Sequence, residues 1–229
     1  MSKTGAWLQL IRVAALPTAL ADVWLGAAVV GQFNLLDLVW LSLISLALYT
    51  AGMILNDVCD VATDRVENPT RPLPSGQISL VRARNAGLVL LAVGVAVALT
   101  VGQRTATTAL ILALLIVSYD FFLKATPLGP VNMGMCRAAN VALGMSLASD
   151  VPLMPLHALP ILLYIVALTL LSRREAGRPA IRRIVTFALV GIIPLQALVA
   201  LISGHAGAAG CILLLLIPAF LLKRLSHIT

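Results

Sequence analysis

Hydrophobic residues in this chain neither alternate with polar ones nor form a narrow stripe at helical spacing. They come in near-continuous runs, and a run of about 17 to 25 such residues is what crosses a bilayer as a helix. The runs cover 13–31, 38–56, 81–102, 105–119, 130–148, 155–171, 184–203 and 206–222. The pattern predicts eight spans and an all-α, polytopic transmembrane helix bundle. A membrane barrel would need alternating positions, which are not seen. The links at 32–37, 103–104, 149–154 and 203–205 are short and poor in chemistry. The longest polar piece is 56–80, where Pro69, Pro72 and Pro74 end the preceding helix. No internal repeat is visible and nothing outside the spans is long enough to fold alone, so a single domain over 1–229 is expected.

Composition sharpens the membrane reading. Of the 229 residues 60% are hydrophobic and 11% charged, and the mean hydropathy is +1.02, far from a soluble domain. Glycine at 16 positions suits helices that pack closely in lipid. The net charge of +7 could suggest nucleic acid, but the basic residues are placed as topology markers. With the N-terminus inside, 14 of 16 fall on one face: Lys3, Arg12, Arg65, Arg71, Arg82, Arg84, Lys124, Arg173, Arg174, Arg178, Arg182, Arg183, Lys223 and Arg224. Arg104 falls outside and Arg137 within a span. This predicts a multi-pass protein of the cytoplasmic membrane with the N-terminus and the 56–80 segment on the cytoplasmic side. Lys3 and Arg12 ahead of Ala19-Leu20-Ala21 could open a secretory signal, but Asp22 and the apolar run to Val30 favour a retained first helix. Cys59, Cys136 and Cys211 are isolated and the three histidines scattered, which implies neither a disulfide framework nor a zinc site.

Against this apolar background the charges need reasons. Residues 56–68 contain four of the nine acidic residues. If the second span's helix continues through them, Asn56, Asp57, Asp60 and Asp64 stack at spacings of three and four on one face. Their mutual repulsion calls for a counter-charge, and hard Mg²⁺, which prefers carboxylate oxygens and phosphate, would supply it. A solvated helix end countered by Arg65 and Arg71 is the plainer alternative. After the fourth span, Tyr119 and Lys124 can bind an anionic phosphate, or can serve as ordinary interfacial anchors. Asp120 beside them pairs with Lys124 or adds a metal-facing acid. In the fifth span Arg137 and Asn140, three apart, need a polar cavity, and Asp22 in the first span makes the same demand. An Asp22–Arg137 ion pair and a polar wall for an anionic or hydroxylated ligand both meet it. The basic loop 172–183 would sit near anionic lipid, with Arg173 and Arg174 able to close over a diphosphate.

Asn56-Asp57-x-x-Asp60-x-x-x-Asp64 at the end of the second span, followed by Arg71-Pro72-Leu73-Pro74-Ser75-Gly76, closely resembles the first signature of the UbiA-type intramembrane prenyltransferases. Tyr119 and Lys124 continue the likeness. Leu128-Gly129-Pro130 and Met135-Cys136-Arg137-x-x-Asn140 look like the EboC-type subgroup. The resemblance implies a helical bundle around a cavity open to the cytoplasm and to lipid. In it Mg²⁺ holds a polyprenyl diphosphate, whose prenyl group passes to an aromatic or polar-lipid acceptor. It implies metal binding and catalysis by Asp57, Asp60 and Asp64, with Asn56 ligating or orienting. Lys124, Arg71, Arg65 and Tyr119 would bind phosphate, and Arg137, Asn140 and Asp22 would wall the substrate cavity.

Two departures follow. The family's second aspartate-rich motif is replaced by Ser172-Arg173-Arg174-Glu175, so that Glu175 and Asp120 make up the metal site, or Arg173 and Arg174 bind phosphate directly, or catalysis has been lost. The family's usual ninth span is not found. The rival readings are a non-catalytic relative that binds or helps export an amphipathic metabolite, and a CDP-alcohol phosphotransferase. The second lacks its required Asp-Gly and Ala-Arg pairs. Paired broken helices, expected of a repeat-built transporter, are not seen.

Overall fold

The computed structural model of the protein describes residues 3–149, 156–175 and 178–228, with side chains as far as Leu222. The link at 150–154, the expected start of the sixth span at Pro155, Ala176 and Gly177 of the basic loop, and the side chains of Lys223 and Arg224 lie outside the described residues. Among those described, every regular element is helical: α1 (Lys3–Leu10), α2 (Leu16–Val29), α3 (Leu35–Cys59), α4 (Val61–Glu67), α5 (Leu80–Val101), α6 (Gln103–Ser118), α7 (Gly129–Met145), α8 (Leu159–Ser172), α9 (Pro179–Val190), α10 (Ile192–Ile202), α11 (Ala206–Leu214) and α12 (Leu216–Ile228).

Three helical stretches are long and apolar enough to cross a membrane unaided, α3, α5 and Gln103–Leu123. Two more qualify as bent pairs, α1 with Val13–Val29 at 43° and α9 with α10 at 40°. The first pair corrects the expected opening span. A separate helix precedes it, and the break falls at Arg12, whose φ of 50° is the one left-handed value outside glycine among the described residues. Pro17 then starts α2 in its first turn, where its missing N–H costs nothing. At the second bend Pro194 has no amide for the Val190 carbonyl, so the helix cannot run straight through Gly191.

The helices pack in a ring: α3 on α2 and α5, α5 on α6, α6 on α7, α7 on α8 and back on α2, with α10 and α11 closing against α2. Asn34 and Ser79 cap α3 and α5 by accepting from the amides of Asp37 and Arg82. The α2–α7 contact is backbone on backbone, since a Cβ at Gly26 would collide with the Val141 carbonyl and one at Gly144 with the Val23 carbonyl. Large apolar side chains such as Leu88, Val89, Leu99, Leu110 and Leu114 point outward. A soluble protein would not expose so many at once. A separate cluster of Ala6, Leu10, Ile54, Leu73, Ile78 and Ala83 pins α1 and the 68–79 loop against the end of α3. That is how the acidic segment acquires neighbours distant in sequence.

Candidate active site

The acidic segment keeps its helical spacing through a break that periodicity does not reveal. α3 stops at Cys59 and α4 starts at Val61, but Asp60 stays in the right-handed helical region, and the Asp60 and Asp64 amides still bond the carbonyls four residues back. Each carboxylate has its own cation. Asp57 Oδ1 pairs with Arg12 Nη2 at 2.9 Å. Asp60 pairs with Lys124, whose Nζ also donates to Asn56 Oδ1 at 2.7 Å. Arg71 Nη1 donates to both oxygens of Asp64, at 2.8 and 2.7 Å, and Asn68 adds a bond of 3.0 Å. The loop holds Arg71 there: Leu73 is buried, the Ser75 hydroxyl donates to the Arg71 carbonyl at 2.7 Å, and Gly76 takes a φ of 76° that favours glycine.

The acids of this segment thus stand apart, each on its own cation. Among the described residues no three His, Cys, Asp or Glu side chains converge as a metal site would need. Glu175, expected to complement it, pairs with Arg182 at 3.5 Å. Of the two loop cations, Arg173 is engaged with backbone carbonyls. Arg173 Nη2 donates to the Lys124 and Thr126 carbonyls at 2.9 and 2.7 Å, tying the end of α8 to the segment that carries Lys124. Arg65 and Arg174 are exposed and make no ion pair among the described residues.

Behind the charged end lies a cavity walled by α3, α7 and the second half of α6. α3 contributes Ser45, Tyr49, Gly52, Met53 and Asn56, one helical face; α7 contributes Met133, Cys136, Arg137 and Asn140. On the third side α6 does not end at Tyr119 as expected but widens into a π-helical turn over Tyr119–Leu123, with the Lys124 amide donating to the Tyr119 carbonyl at 2.9 Å. Such turns occur often at functional sites. Both Tyr119 and Asp120 line the cavity from it, while Lys124 reaches Asn56 and Asp60 rather than the expected Asp120.

At the cavity floor the expected Asp22–Arg137 ion pair forms, and Arg137 and Asn140 also line the cavity. Asp22 is 0% exposed and does not line the cavity, so its expected contact with substrate is corrected. Its Oδ2 lies 2.9 Å from Arg137 Nε and accepts from Asn140 Nδ2 at 3.2 Å, and its Oδ1 accepts from Gln196 Nε2 at 2.5 Å. Arg137 also donates to the Thr18 carbonyl at 2.7 Å, Asn140 to that of Ala19 at 2.9 Å, and the Ser45 hydroxyl to Asn140 Oδ1 at 2.9 Å. The ion pair is a knot joining α2, α3, α7 and α10, and Arg137 and Asn140 face the cavity from it.

Residues 14–228 match the family model for the UbiA prenyltransferase family. The chain belongs to that family. Its relatives include the digeranylgeranylglyceryl phosphate synthases of Ignicoccus hospitalis, 34% identical over 73% of this chain and 56% of that protein, and of Sulfolobus acidocaldarius, 34% identical over 52% of this chain and 44% of that one. The chain thus spans about half the length of the curated relatives it matches. A structure from work on digeranylgeranylglyceryl phosphate synthase in membranes superposes with a TM-score of 0.65 at 19% identity, over 100% of this chain and 94% of that one. The UbiA homologue of Archaeoglobus fulgidus bound to GPP and Mg²⁺ gives 0.62 at 16% identity, over 96% and 87%. Identities this low establish the shared fold, and with the family they make the chain a multi-pass membrane protein.

Two partners, one at the charged end and one at the floor, lay outside the candidate residues read from the sequence. Arg12 reads in sequence as a topology marker, yet it reaches Asp57 across 45 positions through a left-handed turn. Gln196, in an apolar run, reaches Asp22 across 174. A lone polar residue within a span was the one available hint for Gln196.

Proposed function

We propose that this protein, as a single domain, transfers an isoprenyl group from a prenyl diphosphate to a hydroxyl of a polar-lipid acceptor at the cytoplasmic face of the membrane. The observation that carries the reading is the polarity of the site: three cations balanced on three carboxylates at the mouth of a mainly apolar cavity. A prenyl diphosphate has the same polarity, with a multiply charged head on an apolar chain. The names of the relatives, synthases of a diprenylated glyceryl phosphate, support a lipid hydroxyl over an aromatic acceptor.

The donor set fits Mg²⁺. Asn56, Asp57, Asp60 and Asp64 offer only hard oxygens, and their cationic partners Arg12, Lys124 and Arg71 are part-exposed at 44%, 30% and 37%, free to swing away. These four residues would hold the ion, which when bound neutralises the diphosphate as a leaving group. Lys124, Arg71 and Arg12 exchange a carboxylate for a diphosphate oxygen, and the Tyr119 hydroxyl donates to the same head group. The walls of Met53, Leu112, Ile116 and Met133 hold the chain and exclude water that would hydrolyse it.

The test is incubation of the purified protein with Mg²⁺ and labelled prenyl diphosphates of several lengths, followed by binding measurement and mass spectrometry of lipid products. Absence of donor binding would sink the proposal. One observation favours a carrier without turnover: the position of the second acidic motif holds Arg173 and Glu175, both engaged with protein groups. Donor binding with no product from any acceptor would decide for it.

A further inference from the structure

The charged end leaves one carboxylate unaccounted for. Asp57, Asp60 and Asp64 each have a cation and Asp22 has three partners, whereas Asp120 Oδ2 has no hydrogen-bond partner among the described residues. Asp120 is 8% exposed, so water does not compensate it freely. A buried carboxylate oxygen left in that state is costly, and a protein retains it where a ligand will meet it. Among the described residues it is the one acid lining the cavity, which apolar side chains and Asn56 also line. It lies four residues before Lys124, the partner of Asp60, on the π-helical turn that packs against α3. That is the border at which the head group of a prenyl diphosphate gives way to its chain, and therefore where its reacting carbon belongs.

We propose that Asp120 accepts the proton of the acceptor's hydroxyl during transfer, an assignment that rests on the prenyl-transfer reading above. The acceptor oxygen forms a bond to the first carbon of the prenyl chain. The bond from that carbon to the diphosphate oxygen breaks, its electron pair leaving with diphosphate. The O–H proton passes to Asp120 Oδ2 and from there to solvent. Among the described residues that line the cavity, the hydroxyls of Ser45, Tyr49 and Tyr119 already carry a proton and are weaker bases than a carboxylate. Arg137 is a cation, Asn140 is committed to the floor, and the Cys136 thiol approaches Asn132 at 3.7 Å. The assignment also defines the acceptor at its reacting atom: a neutral hydroxyl, because a carboxylate or phosphate oxygen there would meet Asp120 with like charge.

The experiment uses the full-length protein, wild type and the Asp120→Asn and Asp120→Ala variants. Geranyl diphosphate is the donor, a panel of monoalkyl glyceryl phosphates and long-chain alcohols supplies acceptors, and Mn²⁺ is the metal probe. Asp120→Asn is expected to keep donor and Mn²⁺ affinity within about twofold while transfer falls at least about 100-fold, the usual scale for losing a positioned base. Added formate should restore part of the rate to Asp120→Ala but not to Asp120→Asn, whose amide fills the space. Wild-type transfer by Asp120→Asn would overturn the assignment, as would absence of formate rescue. A parallel loss of Mn²⁺ and donor affinity would instead make Asp120 a metal-holding residue, and failure of both variants to fold would make it structural. A wild type that binds donor but uses no hydroxyl acceptor also overturns it. If the wild type does not bind donor at all, the prenyl-transfer reading itself falls.

Discussion

Replacing Asp22 and Arg137 singly and together tests whether the cavity floor is architecture or ligand site. The Asp22 side chain is 0% and the Arg137 side chain 11% exposed, so neither charge can be hydrated once its partner is gone. Asp22→Ala leaves the guanidinium with the Thr18 carbonyl and strips Gln196 and Asn140 of an acceptor. Arg137→Met leaves a carboxylate supported by two amide donors. Breaking a buried pair from one side costs about 3–5 kcal/mol, whereas replacing both partners by apolar groups is often neutral. The double variant should therefore be more stable than either single one, giving a coupling of at least about 3 kcal/mol. Unfolding in mixed detergent micelles reads this out, with Trp24 fluorescence as a probe two residues from Asp22. A coupling below about 0.5 kcal/mol, with Arg137→Met losing donor affinity at wild-type stability, would refute the structural assignment and return Arg137 to the ligand.

Three further outcomes follow from other contacts. Lys124→Met should weaken binding of geranyl diphosphate in Mg²⁺ by about 10- to 100-fold, the worth of one charge-assisted bond, in equilibrium binding; unchanged affinity would mean that Lys124 merely counters Asp60. Gly144→Ala should destabilise the bundle by about 1–3 kcal/mol, because its methyl collides with the Val23 carbonyl and the backbones of α2 and α7 must separate; a thermal melt in detergent checks it. Arg173→Ala should speed amide exchange over residues 124–129 and lower donor affinity without changing Mn²⁺ affinity, since it frees the Lys124 and Thr126 carbonyls from their tether. A fall in Mn²⁺ affinity would show that Arg173 does more than hold the loop.

The apolar runs and the Asn56–Asp64 spacing were legible because each depends on neighbours along the chain. Helical periodicity carries from α3 into α4 even across the break at Asp60. The demand that Asp22 and Arg137 be partnered was legible too, since an unpaired charge within a span is costly. What could not be read is set by distance in sequence or by backbone geometry. The partner of Asp57 depends on a left-handed turn at Arg12, and that of Glu175 on where α9 begins. The π turn at Tyr119–Leu123 has no composition of its own, yet it sets how Asp120 meets the cavity and how Lys124 meets the acids. Spacing could group three aspartates on a face; it could not show that each is held by a different cation.

The two charged layers differ in a way that bears on how the site works. At the mouth, Asp57 and Asp64 are nearly buried acids joined to long, part-exposed cations, and in the Asp60–Lys124 pair both members are part-exposed, so a diphosphate can replace the carboxylate with little change in the cation's surroundings. At the floor, the Asp22–Arg137 knot has no comparable exposure, and the Asn140 and Gln196 amides and Arg137 Nη2 already hold carbonyl or carboxylate oxygens. Exchange there would leave a buried charge uncompensated, which the low dielectric makes expensive. Binding is thus directed to one end, while the other offers few free donors to draw water toward the chain. Asp120, between the two layers and held by neither, is the group for which a change of partner costs least, and the same want of a partner suits it to take a proton.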